Sequence, residues 1–364
     1  MRRIDVQFST LYAELAERSL DGQFVTDFDP DGRFEAITVK GRRYWYFVTS
    51  AAGQRQRRYA GPADDPEIAA RVEDFSRVRD DRRLRRKLVA TLVREAYLPR
   101  PVRETGEVVQ ALADAGFFRL RGVLVGTVAF QCYAGLLGCR LPSSMLQTSD
   151  ADRARVHAIS IAVEDTIPPV LDVLRAVDPT FRAIPHRGDA IRATRFETRT
   201  GYRVEFLTPN RAADEHAGRP ATRPALGGAA AEPLRYLDFL IDQPVRAVML
   251  HGPGIPVSIP APERYAVHKL IVAACRDQRV AASVAKRQKD LRQAATLIEA
   301  LVLDGRSADL GDALHEAWSR GPTWRATLKA AVTLSVETAG AAAVRDPLRQ
   351  ALATSGEAPD DYDL

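Results

Sequence analysis

A few positions carry residue types suited to phosphate chemistry. Gly126-Thr127 ends the apolar run RLRGVLVG, where a strand is expected to turn into a helix. Glycine lets the backbone approach an anion, a helix start offers free N–H groups, and the threonine hydroxyl adds a donor. Asp150-x-Asp152 follows. In a strand these two carboxylates share a face, and their mutual repulsion is costly unless a cation sits between them. Hard oxygen ligands suit Mg²⁺ or Mn²⁺, with substrate phosphates completing the shell. Glu205 interrupts the otherwise apolar GYRVEFLTP, so it either faces solvent or reaches into a site. Three carboxylates on adjacent strands form the layout that two-metal phosphoryl and nucleotidyl transfer needs. Each signal also has a plain reading. Gly-Thr suits any strand-to-helix turn, and TSDAD is a good helix N-cap run.

The elements that must position these residues fall within 102–302. The sequence predicts a helix at ETGEVVQALADAGFF, the strand into Gly126, and a helix from Thr127 through AFQCYAGLLG. A short strand is expected after Pro142. HAISIAVED reads as a strand or short helix and PPVLDVLRAV as a helix. AIRATRFETRTGYRVEFLTP reads as two strands around Thr200-Gly201. Residues 211–232, rich in Ala, Gly, Pro and charge, read as a mobile loop. Strands near 236–241 and 246–251 lead to two helices, ERYAVHKLIVAACR and AKRQKDLRQAATLIEALVL. In the first, Val267, Leu270, Ile271 and Ala274 mark the buried stripe, leaving Lys269 to face a cleft or water. In the second, Asp290 falls in the first turns, where the helix dipole favours an acid.

Gly126-Thr127, Asp150-x-Asp152, an acidic strand residue and an HKL helix, in this order, resemble the nucleotidyltransferase fold of the polymerase-beta-like superfamily. Within it the chain is similar to bacterial proteins that include abortive-infection-type toxins. The resemblance covers about 105–300 and implies an α+β fold: a mixed sheet with flanking helices, a small N-terminal hairpin and helix module, and a C-terminal helical region. It implies an Mg²⁺-dependent enzyme (or one using Mn²⁺) that moves an NMP from an NTP to a hydroxyl of an RNA 3′ end, such as tRNA, or of a protein side chain. It further implies a toxin or phage-defence effector with a cognate antitoxin. By position, Gly126 and Thr127 would hold the triphosphate, and Asp150 and Asp152 the metal. Glu205 would hold a second metal near the incoming hydroxyl, Lys269 and Lys289 would serve the phosphates, and Asp290 would orient the lysine or the base. A catalytically inactive nucleic-acid-binding protein on the same scaffold is the alternative. A DxD glycosyltransferase ranks last, because residues 1–100 do not read as a nucleotide-binding βαβα unit.

Composition sets the outer bounds. The 364 residues carry 27% charged and 46% hydrophobic residues, which is globular, and a net charge of +5. Three cysteines at unsuitable spacing argue against both a disulfide scaffold and a zinc site, which points to the cytoplasm. No leader or membrane span is expected. Only six of the 52 basic residues are lysines, and two of them are Lys269 and Lys289. Division is expected at Leu98-Pro99-Arg100-Pro101, giving an N-terminal module (1–101), a central domain (102–302) and a helical region with a polar tail (303–364). In the N-terminal module, RRYWYF and RQRRY are expected on neighbouring strands. Alternation puts Tyr44 and Tyr46 on one face, with Trp45 and Phe47 on the other. Such a surface suits nucleic acid, or is a solvated basic face over one aromatic core layer.

Overall fold

The computed structural model describes residues 1–21, 32–39, 42–51, 54–118, 122–142, 158–162, 170–186, 189–210, 220–222, 230–277 and 279–363. Asp150 and Asp152 lie outside these described residues, as do the strand expected after Pro142 and positions 211–219 and 223–229 of the expected loop.

The chain opens with β1 (Arg2–Arg3) and α1 (Val6–Asp21). Strands β2 (Arg33–Val39), β3 (Arg42–Ala51) and β4 (Gln54–Pro62) form an antiparallel sheet in that order. Phe34 and Phe47 meet Phe75 of α2 (Pro66–Arg94) edge to face at centroid distances of 5.1 and 5.5 Å, which makes one face of this sheet a small core. The far end of α2 instead joins the main core through Leu88, Val89 and Leu92. So does α1, where the Val248 amide donates to the Tyr12 hydroxyl at 3.0 Å; from β1, the Arg3 guanidinium donates to the Leu303 carbonyl. These contacts cross the division expected at Pro101.

Next come α3 (Arg103–Asp114), β5 (Val123–Val125), α4 (Gly126–Leu136) and β6 (Cys139–Arg140), the last paired with β1. Then follow β7 (Ala158–Ala162), α5 (Val170–Val177), β8 (Arg182–His186), β9 (Asp189–Glu197), β10 (Arg203–Pro209), β11 (Ala221–Thr222) and β12 (Ala230–Leu234). Strands β5 and β7–β12 make a mixed seven-stranded sheet with β10 at its centre. One edge of β10 pairs in parallel with β7; the other pairs with β9 near its start and with β12 near its end. Val204 and Phe206 are fully buried, and the Phe206 ring meets Phe117 and Phe196. Burying two such side chains anchors β10 by several kcal/mol, at about 1.5–3 each.

The chain continues with α6 (Leu237–Ile241), the hairpin β13 (Val245–Met249) and β14 (Ile255–Ile259), and helices α7 (Pro262–Ala274) and α8 (Ala281–Leu303). Helices α9 (Ser307–Ser319), α10 (Pro322–Ala339) and α11 (Arg345–Thr354) close the described chain. No described helix is long and apolar enough to cross a membrane. The architecture is α+β, with a helical C-terminal region.

Three local expectations need correction. The strand near 236–241 is the short helix α6. Tyr236 takes a left-handed φ of 66° and turns the chain out of β12 directly into it. Its Leu237, Phe239, Leu240 and Ile241 are all buried, so neither a twofold nor a 3.6-residue pattern shows. The end of the expected 211–232 loop, residues 230–232, belongs to strand β12, formed because its backbone completes the ladder of β10. Finally, α8 starts at Ala281, so Asp290 lies in its third turn, beyond the reach of the helix dipole.

Candidate nucleotide site

The site starts from the junction of β5 and α4. Gly126 has φ +73°, a left-handed conformation that favours glycine. A Cβ placed there would meet nothing within 4 Å, so the glycine answers to backbone geometry and leaves open space beside it. The N-cap, Val125, offers α4 no side-chain cap, so no capping side chain occupies the first N–H groups of that helix. The Tyr265 hydroxyl donates to the Gly126 carbonyl at 3.0 Å. Because the peptide is planar and trans, holding that carbonyl toward Tyr265 turns the Thr127 N–H the opposite way. The Thr127 hydroxyl accepts from the Lys289 Nζ at 3.1 Å.

Helices α7 and α8 pack side by side and supply the charged groups. The Asp290 carboxylate is buried and takes two cations, Lys269 Nζ on one oxygen and Arg276 Nε on the other, each at 2.6 Å. Burial opposes the Asp290 charge, but the two cations outweigh it and hold the carboxyl below the usual range. Burial likewise opposes the Lys269 ammonium, but Tyr265 and Asp290 outweigh it and the net shift is upward. The ammonium sits 5.2 Å from the Tyr265 ring centroid. Burial pushes the Tyr265 phenol up to about 12, which keeps it a hydrogen-bond donor. Next to Lys269, burial pushes the His268 imidazole down to about 3, so it is neutral at ordinary pH. Lys289 thus reaches Thr127, while Lys269 and Arg276 share the Asp290 carboxylate.

The sheet brings Glu205 level with the end of β5. Val125, Ser160 and Glu205 are cross-strand partners in one row. Two strand spacings separate Val125 from Glu205, about 10 Å. Since β7 runs antiparallel to β5, its first residue, Ala158, lies toward Gly126, and β10 begins beside it. The Asp150-x-Asp152 segment precedes that start in the chain. Glu205 is a quarter exposed, and Arg195, its partner on β9, donates to one of its oxygens at 2.6 Å. Among the described residues no three His, Cys, Asp or Glu side chains gather into a metal-binding group. The donor set that precedes β7 and stands on β10 is all hard carboxylate oxygen, which fits a divalent Mg²⁺ or Mn²⁺.

The structure therefore brings Gly126, Thr127 and Lys289 together, and Lys269 with Asp290. Glu205 stands on the same sheet two strands away. Tyr265 and Arg276 were not anticipated. An aromatic on an apolar helix face reads as core, and one arginine among so many carries no signal. The spacing of Tyr265 one turn before Lys269 was the available clue.

The mixed sheet, the Gly-Thr turn from β5 into α4 and the Lys289 contact with Thr127 fit a nucleotidyltransferase-type protein. A nucleotidyltransferase family model matches residues 103–319, more than half of the chain, and the chain belongs to that family. Nucleotidyl transfer is the class of activity of that family, and it implies an NTP as substrate. No curated protein and no solved structure matches the chain.

Proposed function

We propose that the protein transfers an NMP from an NTP to a hydroxyl acceptor and releases pyrophosphate. The observation that carries this reading is the contact of Lys289 with Thr127 at the uncapped head of α4. There, backbone N–H groups, a hydroxyl and an ammonium converge, as a triphosphate requires. Lys269, shared between Tyr265 and Asp290, supplies the second charge. Asp150, Asp152 and Glu205 are the residues assigned to hold Mg²⁺ or Mn²⁺, which would neutralise the triphosphate and steady the leaving pyrophosphate. Glu205 is also the group assigned to the incoming hydroxyl. The acceptor oxygen bonds to the α-phosphorus as the bond to pyrophosphate breaks.

The acceptors assigned are an RNA 3′ end, such as that of tRNA, or a protein side chain. The resemblance to toxin-like bacterial nucleotidyltransferases supports a growth-inhibiting or phage-defence role in the cytoplasm, held in check by an antitoxin. The test is incubation of the purified chain with each α-labelled NTP, Mg²⁺ and total cellular RNA. Label on RNA or on protein supports the reading, and no label with any of the four contradicts it. One observation favours a second reading, a non-catalytic nucleic-acid-binding scaffold: Arg195 already occupies an oxygen of Glu205. Calorimetry separates the two, since that scaffold binds no NTP.

A further inference from the structure

The N-terminal sheet has two unlike faces. One is closed by α2 and is built on phenylalanine: Phe34, Phe47 and Phe75. The other is built on tyrosine. Tyr59 lies 6.0 Å from Tyr44 and 5.6 Å from Tyr46, centroid to centroid, so all three rings share one face. Tyr59 is 55% exposed. Register places Arg42 on the same side as Tyr44, and puts Arg33 and Arg57 across from Val48 in the row next to Tyr46. Arg42 and Arg57 are exposed. Arg33 is paired with Glu35, which lies in the row of Tyr46 and Tyr59. Three arginines against one glutamate leave this face positive.

We propose that this tyrosine face binds single-stranded RNA. Tyr59 offers an exposed ring to an unstacked base of any kind, with Tyr44 and Tyr46 half-buried beside it, and the flanking guanidinium groups meet the phosphates. The choice of residue argues for RNA over DNA. Phenylalanine stacks as well as tyrosine and is what the covered face uses. On the open face each ring carries a hydroxyl, which can hydrogen-bond a ribose 2′-OH. A positive face would also attract an acidic protein surface, but such a surface has no bases to fill the ring faces. This narrows the acceptors of the proposed function to RNA, and rests on that reading only for what becomes of the bound strand.

The test is fluorescence anisotropy of the full chain with a labelled twelve-nucleotide single-stranded RNA, without NTP or metal. Failure here leaves NMP transfer untouched. The wild type should bind, with DNA of the same sequence held more weakly. Tyr59→Ala should weaken RNA binding about tenfold, and Arg57→Gln should weaken it and flatten its salt dependence. Tyr59→Phe should keep most of the affinity and lose part of the preference for RNA. Both substituted residues are exposed, and an unchanged circular dichroism spectrum checks the fold. Absent RNA binding, DNA binding as tight as RNA, or an unchanged affinity in both Tyr59→Ala and Arg57→Gln overturns the proposal.

Discussion

The Tyr265 hydroxyl donates to the Gly126 carbonyl across 3.0 Å, although 139 positions separate the two residues. The same ring lies under the Lys269 ammonium. One fully buried side chain on α7 thereby fixes both the turn that opens α4 and the lysine beside it. Tyr265→Phe deletes only the hydroxyl. A buried hydrogen bond contributes about 1 kcal/mol, roughly fivefold in an equilibrium constant. KM for the NTP should rise about fivefold with little change in kcat, and steady-state kinetics with varied NTP reads it. An unchanged KM would separate the turn from substrate binding.

Gly126 tests the turn from the backbone side. Its φ of +73° costs an L-residue about 1–2 kcal/mol, and nothing crowds the position. Gly126→Ala should therefore lower stability by about that amount in urea unfolding, with no larger packing penalty. A loss well beyond it would mean that something fills the space beside Gly126.

The two helices carry a pH signature. Unfolded, the His268 imidazole takes a proton below its ordinary 6.5; folded, burial beside Lys269 holds it down to about 3. The unfolded state then binds more protons, so stability falls as pH drops from about 6.5 toward 3, with a slope approaching ~1.4 kcal/mol per unit. Asp290 acts later. Its depressed carboxyl contributes stability above its ordinary 3.8, and that contribution is lost only as pH falls further. His268→Gln should flatten the curve between about pH 6 and 4 and leave the loss below 4 in place. Denaturant midpoints across that range decide it, and an equal slope in both proteins contradicts the assignment.

Lysine and arginine should not substitute for each other at this site. Lys269 is mostly buried between Asp290 and the Tyr265 ring. Lys is a compact point charge, whereas Arg is a wide planar fork. Lys269→Arg should reduce kcat/KM about tenfold, and Lys289→Met should raise the NTP dissociation constant by a similar factor. Calorimetry with the NTP that transfers distinguishes them from unfolding.

Much of this site was legible because its signals are local. A glycine at a strand-to-helix junction, an acid in an apolar strand and an HKL helix can each be read within ten residues. The hairpin of β9 and β10 was legible for the same reason, through alternation around Thr200-Gly201. What escaped depends on distant pairing. The strand β12 has the composition of a loop and becomes a strand through β10. Helix α6 is too short and too uniformly buried to show a period. Arg276 gains its place only because Asp290, on the next helix, has a second oxygen to fill.

Nucleotidyl transfer is assigned above to Asp150, Asp152 and Glu205. The most direct measurement compares the wild type and Asp150→Ala for transfer of α-labelled NTP in Mg²⁺, with thermal unfolding recorded for both. Asp150→Ala should abolish transfer while its melting temperature stays near the wild-type value. Transfer that survives the substitution at the wild-type rate would contradict it.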